Sequence, residues 1–205
     1  MRNFFVTGIG TDVGKTVVAA ILTEALQADY WKPVQSGSLD HTDTDTVKEL
    51  ISNQRTTFHP EAYRLQLPAS PHQAADAENI TLDPNKIQLP KTDNNLVIEG
   101  AGGLMVPLNS SFLIVDLIAQ LKAEVILVSR NYLGSINHTL LSIECLRQRQ
   151  IPIMGIVFNG QPNPASEDFI LAYSGLTKLP SVLPESEINA ATITSYAAQF
   201  KSYFL

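Results

Sequence analysis

A glycine-rich stretch near the N-terminus carries the residues best suited to bind phosphate. Residues 8–16 read Gly-Ile-Gly-Thr-Asp-Val-Gly-Lys-Thr, after a short apolar run and before a longer one. Glycines let backbone N–H groups converge on an anion, and the N-terminus of the following helix adds its positive dipole end. Lys15 supplies a charge for the outer phosphates, and the Thr16 hydroxyl can ligate Mg²⁺. The stretch therefore predicts a phosphate loop, with five rather than four residues between Gly8 and the Gly14-Lys15 pair.

Acidic residues and a second lysine could complete a nucleotide and metal site. Glu99 ends an apolar run, where a carboxylate is costly unless it is paired or bound to a metal. Asp43 and Asp45 offer a further carboxylate, and either of them could bind the metal. Lys32 precedes a proline at the end of a short apolar run, where its positive charge could screen the charge between a nucleophile and a γ-phosphate. Ser36, four residues later, could hydrogen-bond a small polar substrate.

Apolar strands that alternate with helices would position these groups. We expect strands at 2–7, 30–31, 96–99, 125–128, 153–158 and near 181–183. We expect helices at 16–28, 45–51, 73–78, 112–121, 135–149, 165–173 and 190–204, a polar loop at 34–44 and an irregular insertion at 55–95. This pattern predicts an α/β fold with a parallel sheet covered by helices on both faces, in one domain over residues 1–205. The phosphate loop and the polar segments follow strands, so they should meet at the carboxyl edge of that sheet.

Composition narrows the class of protein and its partners. The net charge is −6, which argues against a broad nucleic-acid surface but leaves room for an anion held by local dipoles. The single cysteine, Cys145, cannot form an intramolecular disulfide, and together with an N-terminus that lacks a signal-peptide pattern it predicts a cytoplasmic protein. No apolar stretch approaches the roughly 20 residues that span a bilayer, so no membrane partner is expected.

Six motifs in sequence order make the chain resemble the dethiobiotin synthetase family. They are residues 8–16, Lys32–Gly37, Ser70–His72, Ile98–Gly103 with Pro107, Leu133–His138 and Phe158-Asn159. The long spacing of the phosphate loop is itself a trait of the family. Ile9 and Gly10 depart from the family pattern, which commonly has Thr-Asp at these positions. The resemblance covers nearly the whole chain, and the combination is specific although each motif alone is not.

The resemblance implies a P-loop ATP-dependent ligase of biotin biosynthesis, with Mg²⁺ and ATP as co-substrate. The substrates would be 7,8-diaminopelargonic acid and CO₂, joined through a carbamate and a carbamic-phosphoric anhydride into a cyclic urea, with ADP and phosphate as the other products. It also implies a homodimer with its active sites at the interface.

The resemblance further implies a role for each matched residue. Lys32 and Lys15 would be catalytic, and Thr16, Asp45 and Glu99 would bind the metal. Asp43 and Asp45 both fit the family's loop aspartate, and we choose Asp45 because apolar helix positions follow it directly. The nucleotide would contact Asp12, Val13, Gly14, Lys15, Thr16, Val17, Asp45, Glu99, Gly100, Ala101, Gly102 and Asn159. The other substrate would contact Thr11 and Ser36, and its carboxylate would bind Gly134, Ser135, Ile136 and Asn137 of the partner subunit, at the start of a helix.

Two other P-loop functions are alternatives. A related amidating synthase would need a glutaminase domain, for which this chain has no room. An ATPase switch of the partitioning type would carry a lysine five residues before the Gly-Lys lysine, where this chain has Gly10.

Overall fold

A computed structural model describes residues 1–204, which form a twisted parallel sheet between two layers of helices. The strands are β1 (Asn3–Gly8), β2 (Asp29–Trp31), β3 (Val34–Ser36), β4 (Phe58–His59), β5 (Tyr63–Leu65), β6 (Leu96–Gly103), β7 (Glu124–Arg130) and β8 (Ile153–Asn159). The helices are α1 (Lys15–Leu26), α2 (Asp43–Leu50), α3 (Pro71–Ala77), α4 (Ile114–Leu121), α5 (Ser135–Gln148), α6 (Pro164–Ser174) and α7 (Ala190–Phe200). Single 3₁₀ turns occupy Pro84–Lys86 and Lys201–Tyr203.

The main sheet has six strands in the order β4-β2-β6-β1-β7-β8, and all of its pairings are parallel. Each strand therefore ends at the same edge, which gathers the loops after β1, β2, β6, β7 and β8. Strands β3 and β5 form a separate parallel pair, with Val34 opposite Tyr63. The α/β class and the parallel sheet expected from the sequence are confirmed.

Alternation along the strands explains why both faces of the sheet are buried. In β1, Phe4 and Val6 pack with α1, α2 and α7 on one face, whereas Phe5 packs with α3, α4, α5 and α6 on the other. Successive side chains of a strand point to opposite faces, so a continuous apolar run requires cover on both sides. This packing fixes β1 and β6 at the centre of the sheet, beneath the phosphate loop.

Some expected elements differ in the structure. Residues 34–36 form β3 instead of a loop, and β4 and β5 lie in the stretch expected to be irregular. Helix α2 begins at Asp43 instead of Asp45, because Thr42 is its N-cap. Around residue 182 there is a single bridge to Asn159 instead of a strand. Within residues 1–204, no helix is long and apolar enough to cross a membrane.

Candidate active site

The loop between β1 and α1 brings a left-handed glycine and a lysine to the N-terminus of the helix. Gly14 has φ of 93°, a left-handed conformation that favours glycine, and α1 begins at the next residue. The Lys15 ammonium donates a 3.0 Å hydrogen bond to the carbonyl of Gly10, so its side chain folds back over the loop. Burial lowers the pKa of Lys15, and the charge of Glu99 opposes that shift. The loop thus presents a buried cation beside the helix N-terminus.

Glu99 lies at the centre of the polar cluster and is almost fully buried, with 1% of its surface exposed. Its Oε1 accepts hydrogen bonds from Thr16 Oγ1 at 2.8 Å and from Lys32 Nζ at 3.1 Å. Its Oε2 accepts one from the Tyr30 hydroxyl at 2.8 Å. A buried carboxylate needs such partners to offset its lost hydration. Glu99 therefore links the phosphate loop to the end of β2.

Lys32 is the second buried cation of the cluster. Its Nζ lies 2.5 Å from Asp43 Oδ2 and 3.1 Å from Glu99 Oε1, and its side chain is only 5% exposed. Burial alone would lower the pKa of Lys32, but the charges of Glu99 and Asp43 outweigh burial and raise it. Lys32 is therefore positively charged at neutral pH and lies between two carboxylates.

These groups open into a cavity of about 690 Å³ at the carboxyl edge of the sheet. Eleven of its lining residues are among the site residues expected from the sequence: Thr11, Asp12, Gly14, Lys15, Thr16, Lys32, Ser36, Glu99, Gly100, Ala101 and Gly102. Ser70 and Pro71 of the Ser70–His72 motif line it as well. The Ser36 hydroxyl is buried and has no hydrogen-bond partner within residues 1–204. The cavity has the size, charge and backbone donors to hold a phosphorylated ligand beside a small polar one.

The two aspartates of the 42–45 segment have different surroundings in the structure. Asp43 lines the cavity, whereas Asp45 does not. Asp45 instead accepts hydrogen bonds from the Thr42 hydroxyl at 2.7 Å and from the Thr42 backbone N–H at 3.1 Å. These hydrogen bonds lower the pKa of Asp45 to about 2. Asp45 is therefore a helix-capping residue, and Asp43 is the carboxylate that faces Lys32.

Comparison with known proteins identifies the family. A profile described as an AAA domain matches residues 2–192. An ATP-dependent dethiobiotin synthetase of Cytophaga hutchinsonii is 52% identical over 200 residues, which cover 97% of this chain and 97% of the relative. One of Christiangramia forsetii is 48% identical and covers 98% and 96% of the two chains. The chain belongs to the dethiobiotin synthetase family. These relatives confirm the resemblance that the sequence motifs indicated.

Solved structures support the same fold at much lower identity. A ParA family ATPase of Chlorobium tepidum superposes with a TM-score of 0.62 at 14% identity, over 96% of this chain and 98% of that one. The cell division ATPase MinD of Pyrococcus furiosus gives 0.61 at 16% identity, over 98% of each chain. At this identity the likeness extends to the P-loop fold and no further. It confirms the expected sheet flanked by helices.

Three further residues assigned by the family resemblance, Val13, Val17 and Asn159, lie in or next to the phosphate loop but do not line the cavity. Asn159, at the end of β8, donates a 2.8 Å hydrogen bond from its side chain to the carbonyl of Val13. The Val13 side chain is buried in the core, and Val17 follows on α1. Arg130 also reaches this loop, with a 3.2 Å hydrogen bond to the carbonyl of Asp12. Because β2 and β8 lie on opposite sides of β1 in the sheet, Asn159 and Lys32 are on opposite sides of the loop.

Residues 134–137 lie at the start of α5, at the same edge of the sheet but outside the lining of the cavity. Gly134 has φ of 101° and precedes the first helical residue, Ser135, whose side chain is buried. Asn137 is exposed, and the neighbouring Leu133 is fully exposed. Within residues 1–204, the start of α5 and the cavity are therefore separate features of one chain.

Tyr30 is the residue of the cluster that sequence reasoning missed. It is fully buried, and burial together with the charge of Glu99 raises its pKa well above the usual value. A signal was present in the sequence, because residues 30 and 32 of a strand share one face. Once Lys32 is placed at the site, Tyr30 is therefore the next side chain on the same side of β2.

Proposed function

We propose that this protein is an ATP-dependent dethiobiotin synthetase, which joins 7,8-diaminopelargonic acid and CO₂ in biotin biosynthesis. The observation that carries the proposal is the pair of buried lysines near Glu99: Lys15, at the end of the phosphate loop, and Lys32, directly after β2. A phosphate loop alone needs only the first lysine. The second supplies positive charge where a carbamate would meet the terminal phosphate.

The cluster also fits a magnesium ion, which accompanies ATP in P-loop proteins. Thr16, Asp43 and Glu99 offer a hydroxyl and two carboxylates, the hard oxygen donors that Mg²⁺ prefers. The carboxylates already hold a cation, the Lys32 ammonium, so the site is built for positive charge. We assign the metal-ligand role to Asp43 in place of Asp45. When bound, the ion would neutralise charge on the phosphate oxygens.

The two lysines have different roles in the proposed reaction. One amine of the diamine attacks CO₂ and loses a proton, giving a carbamate whose negative charge Lys32 stabilises. A carbamate oxygen attacks the γ-phosphorus of ATP and the bond to the β–γ bridging oxygen breaks, while Lys15 and the loop hold the phosphates. The second amine then attacks the carbamoyl carbon, and the bond between this carbon and the phosphate oxygen breaks. The ring closes, and phosphate and a proton are released.

The substrate site extends beyond one chain. Thr11 and Ser36 line the same cavity as Lys32 and suit the diamine end of the substrate. Its distant carboxylate would bind at Gly134, Ser135, Ile136 and Asn137 of a second subunit, because a helix N-terminus offers free N–H groups to an anion. We therefore propose a homodimer with two shared sites. The adenine would bind at Asn159, and we place the reaction in the cytosol, which suits the unpaired Cys145.

An assay of purified protein with one component omitted at a time tests the proposal. Phosphate release should require 7,8-diaminopelargonic acid, bicarbonate, Mg²⁺ and ATP together, and dethiobiotin should form in equal amount. Phosphate release that is indifferent to the diamine would contradict the proposal and favour an ATPase switch. A diamine with both amines but no carboxylate is a matched control, and it should react only at much higher concentration.

A further inference from the structure

The hydroxyl of Tyr30 contacts the one oxygen of Glu99 that neither Thr16 nor Lys32 contacts. Tyr30 lies on β2 and Glu99 on the adjacent β6, 69 positions apart in sequence, and their contact of 2.8 Å is buried. Tyr30 does not line the cavity. It therefore reaches the site only through Glu99.

The two oxygens of Glu99 have different partners. Oε1 accepts from Thr16 and Lys32, both of which line the cavity, whereas Oε2 accepts from Tyr30. Within residues 1–204, Tyr30 is the one hydrogen-bond donor to Oε2. The terminal torsion of a glutamate is broad, so a carboxylate held at one oxygen only can rotate. A donor on the second oxygen restricts that rotation and leaves Oε1 facing the phosphate loop.

We propose that Tyr30 is a positioning residue, whose hydroxyl holds Glu99 in the orientation that binds Mg²⁺ together with the nucleotide. The proposal rests on the proposed function, which makes Glu99 a metal ligand. It assigns Tyr30 no contact with substrate or metal. Loss of the Tyr30 hydroxyl should reduce the gain in nucleotide affinity that Mg²⁺ provides. The affinity without metal, which the phosphate loop provides, should stay unchanged.

A purely structural role for Tyr30 makes a different prediction. The ring packs in the core, tilted at 53° to Phe58 with 5.8 Å between the ring centroids. The change Tyr30→Phe keeps this packing and removes one oxygen. A structural defect would lower the unfolding temperature equally with and without metal. ADP raises the unfolding temperature of a protein that binds it, and a positioning defect would also reduce the additional rise that Mg²⁺ gives in the presence of ADP.

The test measures ADP binding by calorimetry over a range of Mg²⁺ concentrations. We expect Tyr30→Phe to bind ADP without metal within twofold of wild type, and to require about tenfold more Mg²⁺ for half of the metal-dependent gain in affinity, equivalent to about 1.4 kcal/mol. Saturating Mg²⁺ should restore turnover. Tyr63→Phe is the matched control, because its hydroxyl contacts the backbone of Asp83 away from the cavity.

Several results would overturn the proposal. A Mg²⁺ requirement within twofold of wild type, or an equal loss of ADP affinity without metal, would make Tyr30 a packing residue. Failure of Tyr30→Phe to fold while Tyr63→Phe folds would assign the hydroxyl to stability instead. If wild-type protein itself bound ADP without any gain from Mg²⁺, the proposed metal site would fail, which is a separate outcome from failure of the Tyr30 proposal.

Discussion

Lys32 and Asp43 form an ion pair with 2.5 Å between Nζ and Oδ2, and this contact brings the first turn of α2 against the end of β2. Asp45, two residues later, turns its carboxylate back onto Thr42. Helical geometry explains the difference, since residues two apart in a helix do not share a face. The segment therefore has one aspartate for the site and one for the helix cap.

Neutralising the two aspartates should separate these roles. We expect Asp43→Asn to raise the Mg²⁺ concentration for half-maximal turnover by about tenfold or more, because it removes a charged oxygen ligand. Asp45→Asn should leave that concentration within twofold and lower the melting temperature slightly, through a weaker cap. Turnover titrated with Mg²⁺ in both variants is the measurement. A larger metal effect in Asp45→Asn would return the ligand role to Asp45.

The sequence predicted the central strands and the loop well, for a physical reason. Residues 96–99 and 125–128 are continuous apolar runs, which only a sheet covered on both faces can bury. The glycine pattern of residues 8–16 requires a strand before it and a helix after it. These signals are local and strong, so neither needed information from distant parts of the chain.

The features that differ from the expectation depend on distant partners or, for α2, on an N-cap two residues before the expected one. Strand β3 has three residues, and it is stabilised by β5, which follows 27 residues later. The Tyr30–Glu99 contact requires the register of β2 on β6, which spacing alone does not give. The start of α2 was predictable, because Thr42 and Asp45 have the spacing of a capping box whereas Thr44 has Val47 at that spacing.

Replacing Lys32 by alanine should separate catalysis from nucleotide binding. We expect turnover to fall by about 10²- to 10³-fold or more, because a preorganised charge beside the reacting oxygens is lost. Binding of Mg-ADP should stay within a few-fold, since Lys15 and the loop backbone remain. Turnover and calorimetry on one preparation check both expectations. Lys48→Ala, an exposed lysine on α2, is the control, and normal turnover in Lys32→Ala would remove Lys32 from the mechanism.

Asp29 should stabilise the fold in a pH-dependent way. Its buried carboxylate accepts hydrogen bonds from Thr92, Asn94, His59 and the Thr57 backbone at 2.6–3.2 Å. Burial alone would raise the pKa of Asp29, but these hydrogen bonds outweigh it and lower the pKa below 3.8. Because the folded state has the lower pKa, the stabilisation is present above about pH 4 and is lost as the pH falls through the folded pKa.

Urea unfolding of Asp29→Ala measures this contribution. We expect the free energy of unfolding to fall by about 2–3 kcal/mol at pH 7, because several buried donors lose a charged acceptor. The difference from wild type should shrink as the pH is lowered from 5 to 3. Asp93 is exposed and lies between Thr92 and Asn94, so the free energy of unfolding of Asp93→Ala should stay near that of wild type. A difference that grows towards low pH would contradict the assignment to Asp29.

Mixing two defective variants tests whether the active site is shared between subunits. Lys32→Ala damages the cavity, whereas Asn137→Asp places a negative charge at the start of α5, where it favours the helix but repels a substrate carboxylate. If each site combines the cavity of one subunit with the start of α5 of the other, a mixed dimer has two different sites. One site carries both substitutions, and the other carries neither.

Equal amounts of the two variants, dissociated and reassociated, should therefore regain about a quarter of wild-type activity, because half of the dimers are mixed and each has one intact site. The assay uses substrate concentrations at which both variants alone are nearly inactive. Each variant taken through the same exchange alone is the control. Mixed dimers that form but regain no activity would show that residues 134–137 act within their own chain, so the shared site would be wrong while the homodimer itself would stand.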